Sequence, residues 1–123
     1  MSSERRAAKK IIEKYKEIAI QYSDSLDGTD YKATNKAYDK ITKLFHEFSR
    51  DDLLVEEVLL PLLRNEDIRV RIWAATHSLG LNKHINEAES VLKEASQIKE
   101  PKMLSFNAEK TLEVWKKQGF LKF

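Results

Sequence analysis

Apolar residues recur along this chain in steps of three and four, the period of one face of an α-helix. Over residues 4–26 the stripe is Ala8, Ile11, Ile12, Tyr15, Ile18, Ala19, Tyr22 and Leu26. Ser3 is placed to cap its start, and Asp27-Gly28 to end it. A second helix is predicted from about Tyr31 to Phe48, with Lys32, Lys36, Lys40 and Lys43 opposite its apolar stripe. Ser49 precedes Asp52 by three residues and reads as a capping pair for a third helix, about Arg50 to Arg64. That helix is apolar nearly all round, so it should be buried on more than one side. Pro61 lacks an N–H and crowds the carbonyl of Glu57, so it should kink the helix or end its regular part.

A fourth helix runs from about Ile68 to Leu79, with Gly80 as its stop. It has two apolar edges, Ile68, Ile72, Ala75 and Leu79 on one and Val70, Ala74 and Leu81 on the other. A fifth lies within 84–98, and Pro101 can open a sixth carrying Leu104, Ala108, Thr111, Leu112 and Trp115. Gly119 followed by Phe120 reads as a left-handed stop with an apolar contact after it. The pattern therefore predicts an all-α fold of about six helices, with short connections that favour three antiparallel αα-hairpins.

Composition changes this picture little and the function classes more. With 123 residues, 41% of them hydrophobic, the chain is long enough for one domain with a packed core, taken as 1–123. No cysteine is present, which excludes disulfides, thiolate zinc sites, iron–sulfur clusters and a thiol nucleophile. The longest apolar run, Val58 to Leu63 broken by Pro61, is too short to span a membrane. The start is charged rather than an apolar signal core, and a cytoplasmic protein is expected.

The net charge of +2 hides blocks. Residues 1–16 carry Arg5, Arg6, Lys9, Lys10, Lys14 and Lys16 against Glu4 and Glu13. Residues 51–67 carry Asp51, Asp52, Glu56, Glu57, Glu66 and Asp67 against Arg64. A dedicated nucleic-acid binder is usually more one-sided, whereas a sign pattern of this kind suits protein recognition.

The residues of 60–80 then form a string: Leu60-Pro61-Leu62-Leu63, Asp67, Val70-Arg71, Ala74-Ala75, Leu79-Gly80. This resembles a HEAT repeat, in which a first helix with an internal Pro turns at an Asp into a second opening with Val-Arg. Together with Ala108-Glu109-Lys110-Thr111-Leu112-Glu113-Val114-Trp115, the run Val70 to His77 resembles a small bacterial family catalogued only as a domain of unknown function. That resemblance extends from about Tyr31 to Phe120 and leaves 4–26 as an additional N-terminal helix. It implies a short HEAT-like right-handed superhelix and supplies no chemistry. Compact HEAT-like domains of this size include immunity proteins encoded beside bacterial toxins, an analogy of fold.

Catalytic signatures are missing. No His-Glu-x-x-His string, phosphate loop or nucleophile elbow occurs among the residues, and His46, His77 and His84 have no metal-ligand spacing. The adjacent carboxylates Asp51-Asp52, Glu56-Glu57 and Glu66-Asp67 point about 100° apart on a helix and make no dyad. No metal, cofactor or catalytic residue is expected, and the protein is read as a non-enzyme. Asp67 and Arg71, four apart, look like a structural brace between repeats, and His77 like an imidazole facing the interior or a groove. The tyrosine pairs Tyr15/Tyr22 and Tyr31/Tyr38 look like a core seam with hydroxyls reaching the surface.

Two surfaces qualify as an interface. On the fourth helix Arg69, Trp73 and Thr76 share one strip, which would line an open trough together with His77, and Asn35, Asp39, Thr42 and His46 form a comparable edge on the second helix. The other surface is the acidic block, with Asp51, Asp52 and Glu56 as contact residues. The expected function is a protein-binding module, most concretely an immunity protein that binds and neutralises a cognate toxin domain encoded by the neighbouring gene. The alternatives are a helical adaptor, or a nucleic-acid-binding HEAT-like protein tracking phosphates with Arg5, Arg6, Lys9, Lys10 and the lysines of the second helix. Nucleic acid is the less expected partner, and no membrane partner is expected.

Overall fold

In a computed structural model of the chain, the described residues form six helices in succession: α1 (Ser2–Ser25), α2 (Tyr31–Phe48), α3 (Asp52–Leu63), α4 (Ile68–Gly80), α5 (Ile85–Ser96) and α6 (Lys102–Gln118). The structure describes residues 2–26, 28, 31–100, 102–121 and 123, and of residues 2–5 the backbone alone. No strand occurs among the described residues, so the all-α class read from periodicity is the class observed. The side chain of Ser3, together with Asp27 and Pro101, lies outside the described residues.

Where the sequence predicts one domain, the packing gathers in two compact units, Met1–Arg64 and Asn65–Phe123. In the first, α1 packs against both α2 and α3. In the second, α5 packs against both α4 and α6. Two of the three expected hairpins, α1/α2 and α5/α6, are therefore packed pairs, while α3 and α4 belong to different units.

In the first unit the buried stripe runs through Ala8, Tyr15, Ile18 and Ala19 of α1 and Ala37, Ile41, Leu44, Phe45 and Phe48 of α2. Phe48 meets Tyr15 at 6.2 Å between ring centroids and Phe45 edge-on at 5.7 Å. Burying each of these large side chains contributes about 1.5–3 kcal/mol. The end of α1 is pinned to the first turn of α2, where Ser25 Oγ lies 2.7 Å from Thr34 Oγ1. Ser25 spends its one hydrogen on the carbonyl of Tyr22 at 2.6 Å, so Thr34 is the donor in that pair.

Asp51, not Ser49, caps α3: its backbone is extended and its carboxylate accepts from Leu53 N at 3.0 Å and Leu54 N at 3.3 Å. Ser49 instead donates to the carbonyl of His46 at 3.2 Å. Pro61 sits in the last turn, and the helix stops two residues later at Leu63.

In the second unit small residues let helices approach closely. Ala74 and Ala75 of α4, Ala88 and Ala95 of α5 and Ala108 of α6 are all fully buried. α4 ends at Gly80, where the sequence places its stop. Asn82 (φ 57°) and His84 (φ 50°) make the left-handed turn into α5. Gly119, with φ 77°, does take the left-handed conformation after α6.

The acidic face of α3 and the buried strip of α4

The N-terminal end of α3 places an unusual surface in solvent. Val55, Val58, Leu59, Leu62 and Leu63 are buried, and this sets which side is left over. Leu53, Glu56, Glu57 and Leu60 share that other side at 100° per residue. Leu53 is 67% exposed, Glu56 and Glu57 are exposed, and Leu60 is half-buried. Asp52 extends the acidic rim at the first turn, where the helix dipole favours an anion. Asp51 is exposed too, but its carboxylate is committed to the cap. The apolar signal at Leu53 was present in the sequence, hidden because this helix is apolar nearly all round.

On α2, Asn35, Asp39 and His46 are exposed and Thr42 is half-buried. Asp39 and His46 line one shallow recess with Thr42, Lys43, Glu47 and Arg50. Thr42 Oγ1 is buried without a hydrogen-bond partner among the described residues. A second recess, of about 320 Å³, lies between α1 and α2, with Lys14, Lys40 and Lys43 around a floor of Ile18 and Leu44. Glu17 and Glu47 line it as well and offset most of that positive charge.

The α4 strip is where expectation and structure part. Trp73 is only 8% exposed and His77 is fully buried, so neither presents a surface to a partner. The two rings lie 5.3 Å apart, and Phe123 meets the imidazole edge-on at 5.0 Å. The physical reason is that α4 is buried round most of its circumference, from Val70 through Leu79 apart from Arg71 and Thr76. Thr76 donates to the carbonyl of Ile72 at 2.8 Å.

Arg69 is spent locally. Asp67 caps α4 by accepting from Arg69 N at 2.9 Å, and the Arg69 side chain returns to the same carboxylate, Nε to Oδ1 at 3.0 Å and Nη2 to Oδ2 at 2.8 Å. The side-chain bond from Arg69 is the largest cause holding the Asp67 carboxyl below the usual range, with its backbone bond and the charges of Arg69 and Arg71 helping against partial burial. The expected brace between Asp67 and Arg71 is therefore redrawn. Arg71 reaches one turn on and pairs with Glu94 of α5 at 2.8 Å.

The candidate residues thus fall into three groups. Asp39 and His46 share a recess, with Asn35 exposed on the same helix, Asp52 and Glu56 stand on one side of α3 with Asp51 capping its start, and Arg69, Trp73, Thr76 and His77 are engaged within the second unit. Among the described residues no group of three or more His, Asp or Glu side chains is gathered to hold a metal ion. Nor is any helix there long and apolar enough to cross a membrane.

These features define an all-helical protein of two three-helix units whose most distinctive surface is acidic and apolar at once. Residues 9–114 match the model of a domain of unknown function, DUF2019, and the chain belongs to that family. The match begins inside α1, so this helix is part of the family's domain and not an addition before residue 31. No curated protein and no solved structure matches the chain.

Proposed function

We propose that this protein is a non-enzymatic protein-binding module, most concretely an immunity protein that docks on a basic toxin domain through the exposed face of α3. The observation that carries this reading is Leu53, two-thirds exposed at 67% with Asp52, Glu56 and Glu57 around it. A leucine left in water gains free energy when a partner covers it. Carboxylates around it steer a cationic surface and set its register. A HEAT-like scaffold is part of the same proposal. It is supported by Pro61 in the last turn of α3 and Asp67 capping the helix that opens with Ile68.

The test is binding to the purified product of the neighbouring gene, with Leu53→Lys and the pair Glu56→Lys, Glu57→Lys as controls. Nanomolar capture with an on-rate that falls as salt rises is expected, and the α3 variants should lose it. Absence of such a partner, or binding indifferent to these changes, removes the proposal.

A second reading, contact with nucleic acid, rests on Lys14, Lys40 and Lys43 around the α1/α2 recess and is weakened by Glu17 and Glu47 beside them. Salt-sensitive gel-shift binding lost on replacing Lys14, Lys40 and Lys43 would establish it.

A further inference from the structure

α6 buries Leu104, Ala108 and Leu112 on one side. On the opposite side Met103 is 41% exposed, Phe106 53% and Val114 40%. Lys110 stands between them, with its ammonium 5.9 Å from the Phe106 ring centroid. At 100° per residue Lys117 continues the same face. Three large apolar side chains lie on one turn-to-turn row with Lys110 between them, and exposed Glu113 borders the row beside Phe106, which leaves α6 with an uncovered apolar face centred on a cation.

Pairing this face with itself is unfavourable. An antiparallel match of Phe106 over Val114 of another copy sets Lys110 directly against its own counterpart, two ammonium groups on a dyad. The complement of opposite sign is carried by the same chain, on α3. There Leu53 and Leu60 flank Glu56 and Glu57. Phe106 to Val114 spans roughly 12 Å of helix and Leu53 to Leu60 roughly 10.5 Å, at 1.5 Å per residue. Both faces read apolar, charged, apolar over nearly one length, with opposite charges in the middle.

We propose that the Met103–Phe106–Val114 face of α6 docks on the Leu53–Leu60 face of a second copy, with Lys110 meeting Glu56 and Glu57. The contact is heterologous, so a pair keeps one face of each kind free, the α3 face on one copy and the α6 face on the other, and association continues head to tail or closes into a ring. A copy seated on α3 covers the surface assigned above to a foreign partner. Self-association and partner binding then compete, but the contact itself needs no partner.

Sedimentation velocity of the full chain tests this from about 10 µM to about 1 mM, the range suited to an interface of two helix faces. The weight-average mass should rise with concentration and fall back at high salt. Phe106→Glu and Leu53→Lys each change an exposed side chain, so helix content by circular dichroism should hold, and each variant alone should stay monomeric. Mixed, they should form a discrete 1:1 dimer, because one keeps an intact α3 face and the other an intact α6 face. A wild type that is monomeric throughout, a Phe106→Glu protein that still associates, or a mixture that stays monomeric overturns the proposal. No toxin or other protein is present, so the outcome is independent of the partner reading.

Discussion

The ring of Phe123 comes within 2.6 Å of the point where a β-carbon on Gly80 would stand. Glycine at this position makes room for an aromatic group from the far end of the chain, since Gly80 itself stays helical. Alanine there gains helix propensity, about 1 kcal/mol, but must push the ring off His77. Gly80→Ala should therefore be neutral or destabilising in the natural sequence. It should stabilise by about 0.5–1 kcal/mol in a Phe123→Ala background. A double-mutant cycle in urea reads the difference, and equal effects in both backgrounds would show that the ring does not matter.

Ser78 offers the opposite case. It is fully buried, and its hydroxyl has no hydrogen-bond partner among the described residues. Removing an unsatisfied buried hydroxyl while improving helix propensity should stabilise the fold, by roughly 0.5–1.5 kcal/mol for Ser78→Ala. A lower melting temperature in this variant would contradict the description of that site.

The Asp67 cap should be visible in acid. Its carboxyl titrates below the ordinary value in the folded chain, chiefly through the Arg69 side chain. The stability it contributes is thus fully present above the unfolded value near 3.8 and is lost as pH falls through the lower folded value. Asp67→Ala should cost about 1 kcal/mol at neutral pH through the lost cap. Asp67→Asn keeps a cap acceptor, so it should cost less, and its stability should fall less steeply below pH 4 than that of the natural chain. Chemical denaturation across an acid series checks both.

These residues also show what a one-dimensional reading can reach. Helical period and charge on the far side place α2 at Tyr31–Phe48, because both are local properties of the chain. Caps are harder. Ser49, Asp51 and Asp52 all carry acceptors near one helix start, and only backbone geometry selects Asp51. Gly80 reads as a stop by local rules, yet its role is set by a residue more than forty positions away. The same holds for Trp73, since its face is legible from spacing while the number of neighbours covering it is not. Tyr31 at 69% and Tyr38 at 39% do reach the surface, but Tyr15 is sealed inside. The basic-apolar side of α6 was within reach: Met103, Phe106 and Val114 lie off the core stripe and on one side.

Tyr15 gives a prediction for the alkaline limb. Complete burial pushes its phenol well above the ordinary value near 10. Above that pH the unfolded chain ionises this group and the folded chain does not, so folding loses stability as pH rises toward the higher folded value. Tyr15→Phe removes the contribution. Its stability should fall less steeply between about pH 10 and pH 11.5 than the natural chain's, each measured against its own neutral value.

The division of contacts bears on how the molecule comes into being. α1 finds both its packing neighbours within the first 64 residues, and α5 finds both of its own in the remainder. The packed helix pairs among the described residues lie at most one helix apart along the chain, and topologies this local reach their end state in microseconds to milliseconds. A ribosome adding about 5–20 residues each second finishes α1, α2 and α3 roughly three seconds or more before Phe123 is joined. The early segment therefore has time to collapse while the late one is still being made, which leaves little greasy surface waiting for a chaperone.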